Sequence, residues 1–284
     1  MLKRQTTGSV ICTSCGVLVG VNDDRCYNCG RRNPGLWGFA PALRNLGRDL
    51  GFVPFVIGTC FCLYVLSLVA SQGDIGMNGF MSMLSPNGLS LFRFGASGAV
   101  PVFGYGMWWT VLSAGWLHGS ALHILMNMLW VRDMAPATAN LYGHGRTVLI
   151  YIAAGVVGFA ASSLAGVLLP GIPFIGGSRM TVGASASIFG LFGALVYYGR
   201  RTGSSAVGSF GLQYALMLGV FGFLFPGIDN WAHAGGFAGG YLAALFLDPL
   251  KPERVDHLVA AAACLMISVG AVVATFIYTL RFAN

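Results

Sequence analysis

The stretch TVLIYIAAGVVGFAASSLAGVLL, residues 147–169, carries no charged side chain. A helix needs about 20 mostly apolar residues to cross the hydrocarbon core of a bilayer, and this stretch is long enough. Its glycines and serines are typical of packed membrane helices, whereas a membrane barrel strand would alternate apolar and polar residues. The stretch therefore predicts a transmembrane helix.

Six further windows of roughly this length also contain no charged side chain. The whole chain is 56% hydrophobic and only 9% charged, whereas about a quarter of the residues in a soluble domain are charged. The sequence therefore predicts an all-α polytopic membrane protein with seven spans. The other windows are 51–71, 113–131, 183–199, 206–225, 231–247 and 257–280.

The basic residues are distributed unevenly between the two sides of the predicted bundle. If the N-terminus is cytoplasmic, only Arg93, Arg179 and Arg281 of the 16 Lys and Arg residues lie outside. Because cytoplasmic loops collect Lys and Arg, this orientation is favoured over its reverse. We expect a multi-pass protein of the plasma membrane, with a cytoplasmic N-terminus and an external C-terminus. The net charge of +7 thus reports topology, and we expect no nucleic-acid partner.

Residues 1–35 form a separate unit with two C-x-x-C-G knuckles. The cysteines are Cys12, Cys15, Cys26 and Cys29. In each knuckle two thiolates hold one metal ion while the following glycine permits a tight turn, so the spacing predicts a structural zinc ribbon. The metal would supply the folding energy of so short a unit. Disulfide pairing is the first alternative, which a reducing cytoplasm disfavours, and a rubredoxin-like iron site is the second.

Two connecting segments have distinct compositions. Residues 36–50 carry Arg44 and Arg48 and are predicted to form a juxtamembrane linker on the anionic inner leaflet. Residues 72–112 contain scattered Met, Phe and Trp side chains such as Trp108 and are too apolar for a free loop. We expect this segment to lie partly in the outer interface of the membrane, where Trp is favoured.

Polar residues at membrane depth concentrate in three windows. The second window contains His123 and Asn127, the fourth contains Ser185 and Ser187, and the sixth contains His233. In the predicted topology these three spans enter from the outside, and most of the polar residues lie in the first half of their spans. They should therefore share one depth, and a costly intramembrane polar residue is a candidate functional residue.

The chemistry of these residue types indicates nucleophilic catalysis. A serine hydroxyl needs a neighbouring base, and His233 can take the proton of Ser185. His123 and Asn127 are four residues apart on one helix face, so they can donate to an oxyanion together with the backbone amide of Ser185. The fourth and sixth windows contain no acid, and Asp229 lies one turn before the histidine. This pattern favours a dyad over a triad.

A stripe of small residues is predicted to bring the two dyad helices together. Gly236 and Gly240 follow the histidine on its own helix face, which permits a close approach. Ser187 points about 200° away from Ser185, so only one of the two serines can face the sixth span. Taken singly, each polar residue also fits an interhelical packing role. The small residues that can receive the stripe are Gly183, Ser187, Gly190 and Ala194.

These motifs together resemble those of the rhomboid family over roughly residues 50–250. In chain order they are H-x-x-x-N from His123 to Asn127, G-x-S from Gly183 to Ser185, and A-H-x-x-G-x-x-x-G from Ala232 to Gly240, with His233 and Gly236 inside it.

The resemblance implies a fold and an activity. It implies a six-helix core over residues 51–250, one added helix within 251–284, and a water-filled cavity that opens outward. It also implies that Ser185 and His233 cleave single-span proteins in or near their transmembrane segments, with His123 and Asn127 among the oxyanion donors and no cofactor for catalysis.

The sequence departs from the family pattern at three positions. Ala186 follows the nucleophile where a glycine is usual, and Phe189, expected to pack on the histidine, lacks the hydroxyl of the common tyrosine. Thr110 stands after Trp109 in place of an arginine. His118 matches a further family histidine to which we assign no role. None of these departures removes the dyad.

Three other functions are compatible with parts of the sequence. One is a catalytically inactive rhomboid-like protein that binds membrane clients, which the presence of both Ser185 and His233 disfavours. Another is a transporter with a histidine and asparagine proton path, which the absence of buried carboxylates disfavours. The cysteine unit is also compatible with a nucleic-acid adaptor, but its aromatic residues are few. The sequence does not indicate a partner for the cysteine unit.

Overall fold

The computed structural model describes residues 4–47, 51–77, 79–172, 175–225 and 227–282. Lys3, Arg48 and the last three residues of the predicted linker lie outside the described residues. The helices within these ranges are α1 Ala40–Gly47, α2 Phe52–Ala70, α3 Gly88–Phe94, α4 Thr110–Ser113, α5 Ala121–Tyr142, α6 His144–Leu168, α7 Ser185–Thr202, α8 Ser205–Leu224, α9 Asn230–Phe246 and α10 Val255–Thr279.

Each of the seven predicted windows corresponds to a long helix, which confirms the predicted all-α fold. The window at 113–131 differs most from its helix α5. The Ser120 side chain accepts a hydrogen bond from the backbone N–H of His123 (3.2 Å), and this cap starts the helix later than hydropathy predicts. The helix then continues through Arg132 and Asp133, which form an exposed ion pair at 2.8 Å, because neighbouring charges need not end a helix that leaves the apolar layer.

The long helices fall into two groups by hydropathy. Helices α2, α6, α8 and α10 are long and apolar enough to cross a membrane. The other three, α5, α7 and α9, carry the candidate site residues. Most of α7 is buried within the bundle, whereas only 11% of the most apolar window of α8 is buried. Helix α7 therefore lies inside the bundle, whereas α8 lies at its outer surface.

Close packing of helix backbones holds α7 against α9. A Cβ atom at Gly236 would overlap the backbone of Ala186, and one at Gly240 would overlap the backbone of Gly190. The glycine stripe thus meets Ala186 and Gly190 of α7. Ser187 instead faces α6, where a Cβ at Gly155 would lie 2.7 Å from its Oγ. Such contacts leave no space for side chains and fix the helix separation.

The cysteine unit is a small sheet with an apolar cluster. Strands β1 (Ser9–Ile11) and β2 (Leu18–Gly20) pair antiparallel, with Val10 opposite Val19. The two valines pack with Val21, Cys12 and Cys26.

The cysteine unit contacts the start of α10. Arg31 makes a bidentate ion pair with Asp256, with Nη1–Oδ2 and Nη2–Oδ1 distances of 2.6 and 2.8 Å. The backbone N–H of Val255 also donates to the carbonyl of Thr13 (3.2 Å). The unit therefore lies at the end of the bundle where α10 begins.

The segment between α2 and α5 is folded rather than extended. It contains α3, a π-helical turn at Val100–Gly104, and α4. Ser97 and Thr181 exchange backbone hydrogen bonds of 3.0 and 2.8 Å, so the segment pairs with the chain just before α7. Apolar side chains such as those of Phe80 and Trp108 are exposed, as expected of a segment that lies in the membrane interface.

Candidate active site

Ser185 and His233 form the centre of the site. Ser185 is the first residue of α7, and His233 lies in the first turn of α9. Their Oγ and Nε2 atoms are 2.9 Å apart. With the ring proton on Nδ1, the serine hydroxyl donates to Nε2, which is the arrangement that a general base needs.

The ring of His233 is oriented by an aromatic side chain. Phe189 stacks on it with a centroid distance of 4.1 Å and an interplanar angle of 9°. Phe189 follows Ser185 by one helical turn, so one face of α7 presents both Ser185 and the stacking ring. The imidazole is mostly buried, at 8% exposure, and the stacking restricts its rotation.

Asp229 does not complete a triad. Its carboxylate caps α9 by accepting from the backbone N–H of Ala232 (2.9 Å) and accepts from the Ser162 hydroxyl (2.5 Å). The Nδ1 atom of His233 is buried, with no hydrogen-bond partner within the part of the chain that the structure describes. The geometry is therefore that of a dyad.

His123 presents a hydrogen-bond donor towards Ser185. The backbone N–H of Gly119 donates to its Nδ1 (3.3 Å), which places the ring proton on Nε2. A Cβ at Gly183 would lie 2.6 Å from this Nε2 and 3.7 Å from the Oγ of Ser185. Gly183 also has φ +128°, a conformation that favours glycine. It therefore leaves the space between His123 and Ser185 open.

Asn127 contacts its own helix. Its Nδ2 donates to the carbonyl of His123 (2.8 Å), and its Oδ1 is buried without a partner among the described residues. This bond lies within α5, whereas the packing role that the sequence left open is a hydrogen bond to a neighbouring helix. Donation to an oxyanion stays a prediction for this residue.

His118 lies behind His123. Its ring is fully buried and meets the ring of His123 edge to face, with centroids 5.1 Å apart. Neither nitrogen of the His118 ring has a hydrogen-bond partner in the described ranges. The histidine therefore packs against the site without contacting Ser185 through a hydrogen bond.

Ala114 is a site residue that the sequence did not indicate. Its carbonyl accepts the backbone N–H of Gly183 (3.0 Å). Its methyl group belongs to a buried cluster with Ala186 and Ala232, the chain neighbours of Ser185 and His233. Alanine has no chemical signature in a sequence, so only its three-dimensional position shows that it contacts both halves of the site.

The four cysteines of the N-terminal unit converge on one point. Their sulfur atoms all lie within 4.8 Å of one another, and the closest pairs are Cys12 with Cys29 at 3.8 Å and Cys15 with Cys26 at 3.6 Å. A disulfide needs about 2.05 Å. Tetrahedral zinc with Zn–S bonds of about 2.3 Å separates its sulfurs by about 3.8 Å. The donor set therefore fits one zinc ion.

The local environment shifts the pKa of two of these thiols in opposite directions. Burial raises the pKa of Cys12 to about 11, whereas the backbone N–H of Val17 lowers the pKa of Cys15 to about 6. Zinc binds the thiolate form, so Cys15 offers the more readily available ligand and Cys12 must lose its proton on binding.

Comparison with known proteins places the whole site in one recognised domain. Residues 105–249 match a family model described as Rhomboid domain. The chain is 32% identical over 190 residues to rhomboid protease GluP of Bacillus subtilis (strain 168), which covers 66% of this chain and 35% of that protein. It is 32% identical over 173 residues to RHOMBOID-like protein 4 of Arabidopsis thaliana, which covers 58% of this chain and 40% of that protein. The chain thus spans well under two thirds of the length of these relatives.

Proposed function

Since this chain belongs to the rhomboid family and is an integral membrane protein, we propose that it is an intramembrane serine endopeptidase. Its substrates would be single-span proteins, cleaved in or near their transmembrane segments. The observation that carries this proposal is the 2.9 Å hydrogen bond between Ser185 and His233, made on two helices whose backbones are in contact. A packing role alone would not need a serine hydroxyl aimed at an imidazole nitrogen.

The proposed reaction begins with attack by the Oγ of Ser185 on the scissile carbonyl carbon. The hydroxyl proton passes to the Nε2 of His233 as the carbonyl oxygen gains a negative charge. His233 then gives this proton to the leaving amine, and the new amino terminus departs. A water molecule attacks the acyl ester, His233 takes its proton and returns it to Ser185, and the new carboxyl terminus is released.

The negative charge on the oxygen would be met by hydrogen-bond donors around Ser185. The first four N–H groups of a helix have no intrahelical partner, so the amide of Ser185 can donate at the positive end of the α7 dipole. The Nε2–H of His123 faces the same space across Gly183. Asn127 can add a second side-chain donor if its amide leaves the His123 carbonyl.

The proposal also includes the topology and the cysteine unit. We place the protein in the plasma membrane with its N-terminus in the cytoplasm and its C-terminus outside, so that the site of the dyad opens outward. The cysteine unit then lies in the reducing compartment, where Cys12, Cys15, Cys26 and Cys29 hold a structural zinc ion distant from the dyad. The lipid bilayer and a single-span substrate are the expected partners, with no nucleic acid, and the partner of the cysteine unit stays open.

The test is a cleavage assay with purified protein and a panel of tagged single-span substrates. We expect cleavage by the wild type, fluorophosphonate labelling of Ser185, and loss of both in the Ser185→Ala and His233→Ala variants. Ser187→Ala is the matched control, because this buried serine faces Gly155 of α6 and should keep most of the activity. Wild-type protein that binds clients but neither labels nor cleaves would instead support the inactive client-binding function.

A further inference from the structure

We propose that α10, which lies beyond the matched domain, positions the active site through the hydroxyl groups of Thr275 and Ser268. These hydroxyls hold Trp109 and Trp116, which flank a segment that contacts the neighbours of Ser185 in the chain. The inference rests on the proposed function and assigns positioning residues to it.

Two indole hydrogen bonds join α10 to this segment. The Nε1–H of Trp109 donates to the Oγ1 of Thr275 (2.9 Å), and the Nε1–H of Trp116 donates to the Oγ of Ser268 (3.2 Å). Thr275 and Ser268 are both fully buried. They are seven residues apart, which is two helical turns, so both hydroxyls lie on one face of α10.

The two hydroxyls are restricted to the acceptor role towards the indoles. Thr275 donates its own proton to the carbonyl of Ala271 (2.7 Å), and Ser268 donates to the carbonyl of Leu265 (2.9 Å). An indole Nε1–H can only donate. Each indole N–H is therefore paired with a hydroxyl that can only accept from it. Removal of the hydroxyl of Thr275 or Ser268 would leave one tryptophan N–H without an acceptor, in a place where bulk water cannot supply one.

The segment between the tryptophans contacts residues next to the dyad. It contains α4 and the turn at Ala114–Trp116. The carbonyl of Ala114 accepts the N–H of Gly183 (3.0 Å), two residues before the nucleophile. The Ala114 methyl group is buried against Ala186 and Ala232. A shift of this segment would therefore move the start of α7 relative to α9.

Contacts outside α10 also hold the segment between the tryptophans. The hydroxyl of Ser113 donates to the carbonyl of Gly95 (2.7 Å). The hydroxyl of the fully buried Thr110 donates to the carbonyl of Met107 (2.8 Å) and lies 3.3 Å from the Oγ of Ser97. The ring of Trp109 also packs edge to face on Tyr278 of α10, with centroids 5.4 Å apart. The indole hydrogen bond of Trp109 and its shortest aromatic contact thus both reach α10.

The test compares substitutions at Thr275 that separate shape from hydrogen bonding. Thr275→Val keeps the shape and loses the acceptor, whereas Thr275→Ser keeps the acceptor. We expect Thr275→Val to lower kcat and the rate of fluorophosphonate labelling roughly tenfold, with little change in KM. This loss of rate is smaller than the 10²-fold loss that a 1 Å misplacement can cause. Thr275→Ser should stay near wild type. Val273→Ala is the control, because Val273 is on the same helix and 55% exposed.

Hydrogen exchange supplies a readout that does not depend on activity. In the Ser185→Ala background, Thr275→Val and Ser268→Ala should each speed amide exchange in residues 110–117 and 181–187, and Val273→Ala should not. Unchanged exchange in both variants would overturn the positioning role whether or not the protein cleaves substrate. If the wild type does not cleave substrate but the variants exchange faster, the proposed function is overturned and the positioning contacts remain supported.

Discussion

The cysteine unit and the serine site are assembled in opposite ways. Cys12 and Cys29 are 17 residues apart in the chain. The turn between β1 and β2 and a second turn, closed by a bridge between Arg25 and Arg32, bring the ligands together. Ser185 and His233 are 48 residues apart, and they meet only because glycines let α7 and α9 touch. The first site is proposed to depend on a metal ion for its shape, whereas the second depends on helix packing. Each should therefore fail under a perturbation that spares the other.

Loss of the metal should have the largest effect, and it should be confined to the cysteine unit. Structural zinc contributes about 10 to 16 kcal/mol of apparent binding free energy in small zinc units. We expect metal analysis of purified protein to find one zinc per chain, and Cys15→Ser to abolish it. Cys62→Ser is the control, because Cys62 lies in α2, away from the cluster. Cleavage by the metal-free protein should stay within about twofold of wild type, because the dyad is held by other contacts.

A wild-type protein without zinc, or with disulfides in this unit when freshly purified, would contradict the metal assignment. Loss of cleavage with the metal would contradict the independence of the two sites.

A Cβ at the helix contact should have the next largest effect, and it should be confined to the bundle. Gly240→Ala would place a methyl group on the backbone of Gly190, and overpacking of this kind costs about 1 to 3 kcal/mol. We expect a lower melting temperature and a large loss of cleavage, because α9 must move away from α7. Gly219→Ala is the matched control, because nothing lies within 4 Å of its Cβ position. Zinc content should stay at one per chain in both variants.

If Gly240→Ala cleaves substrate at the wild-type rate while folded, close packing is not what aligns the dyad.

The oxyanion donors should show smaller and unequal effects. Loss of one such donor in a soluble protease costs about 10² to 10³ in turnover. His123 faces Ser185 across Gly183, so we expect His123→Ala to lower kcat by about 10² without raising KM, since the charge develops only after attack. Asn127 is bonded to the carbonyl of His123, so Asn127→Ala should cost less in kcat and more in thermal stability.

Kinetics and thermal unfolding measured on the same Asn127→Ala sample separate the two roles. If this variant melts early but turns over substrate at the wild-type rate while folded, Asn127 is a packing residue and not an oxyanion donor.

The sequence predicted each site as far as its signals were local or periodic. The C-x-x-C spacing predicted the cysteine cluster, and the polar residues of three apolar windows predicted the serine site. Ala114 was missed because an alanine carbonyl has no sequence signal. The contact between Trp109 and Thr275 spans 166 residues, and no periodicity relates an indole to one hydroxyl in another helix. Long-range pairs of neutral groups were therefore visible only in the structure.

The contact between the two regions should have the smallest effect of all, and Arg31 is the residue that tests it. Arg31 and Asp256 form a bidentate pair in which the side chains are 21% and 42% exposed. Solvent screens a pair of this exposure, so we expect it to contribute about 1 kcal/mol or less. Asp256 also keeps a second partner at 2.7 Å, the Nη2 of Arg254, so Arg31→Ala would not strand a charge. Arg32→Ala removes the same charge from an exposed neighbour and serves as the control. We expect Arg31→Ala, but not Arg32→Ala, to speed amide exchange at residues 255–258, with zinc content and cleavage unchanged.

The ion pair is distant from the contacts that α10 makes near the dyad. Thr275 lies about 28 Å along α10 from Asp256, which is 19 residues at 1.5 Å each, and the hydrogen bonds near Thr275 do not involve the ion pair. A loss of cleavage in Arg31→Ala alone would therefore show that α10 transmits the state of the cysteine unit to the dyad, and the two regions would not be independent.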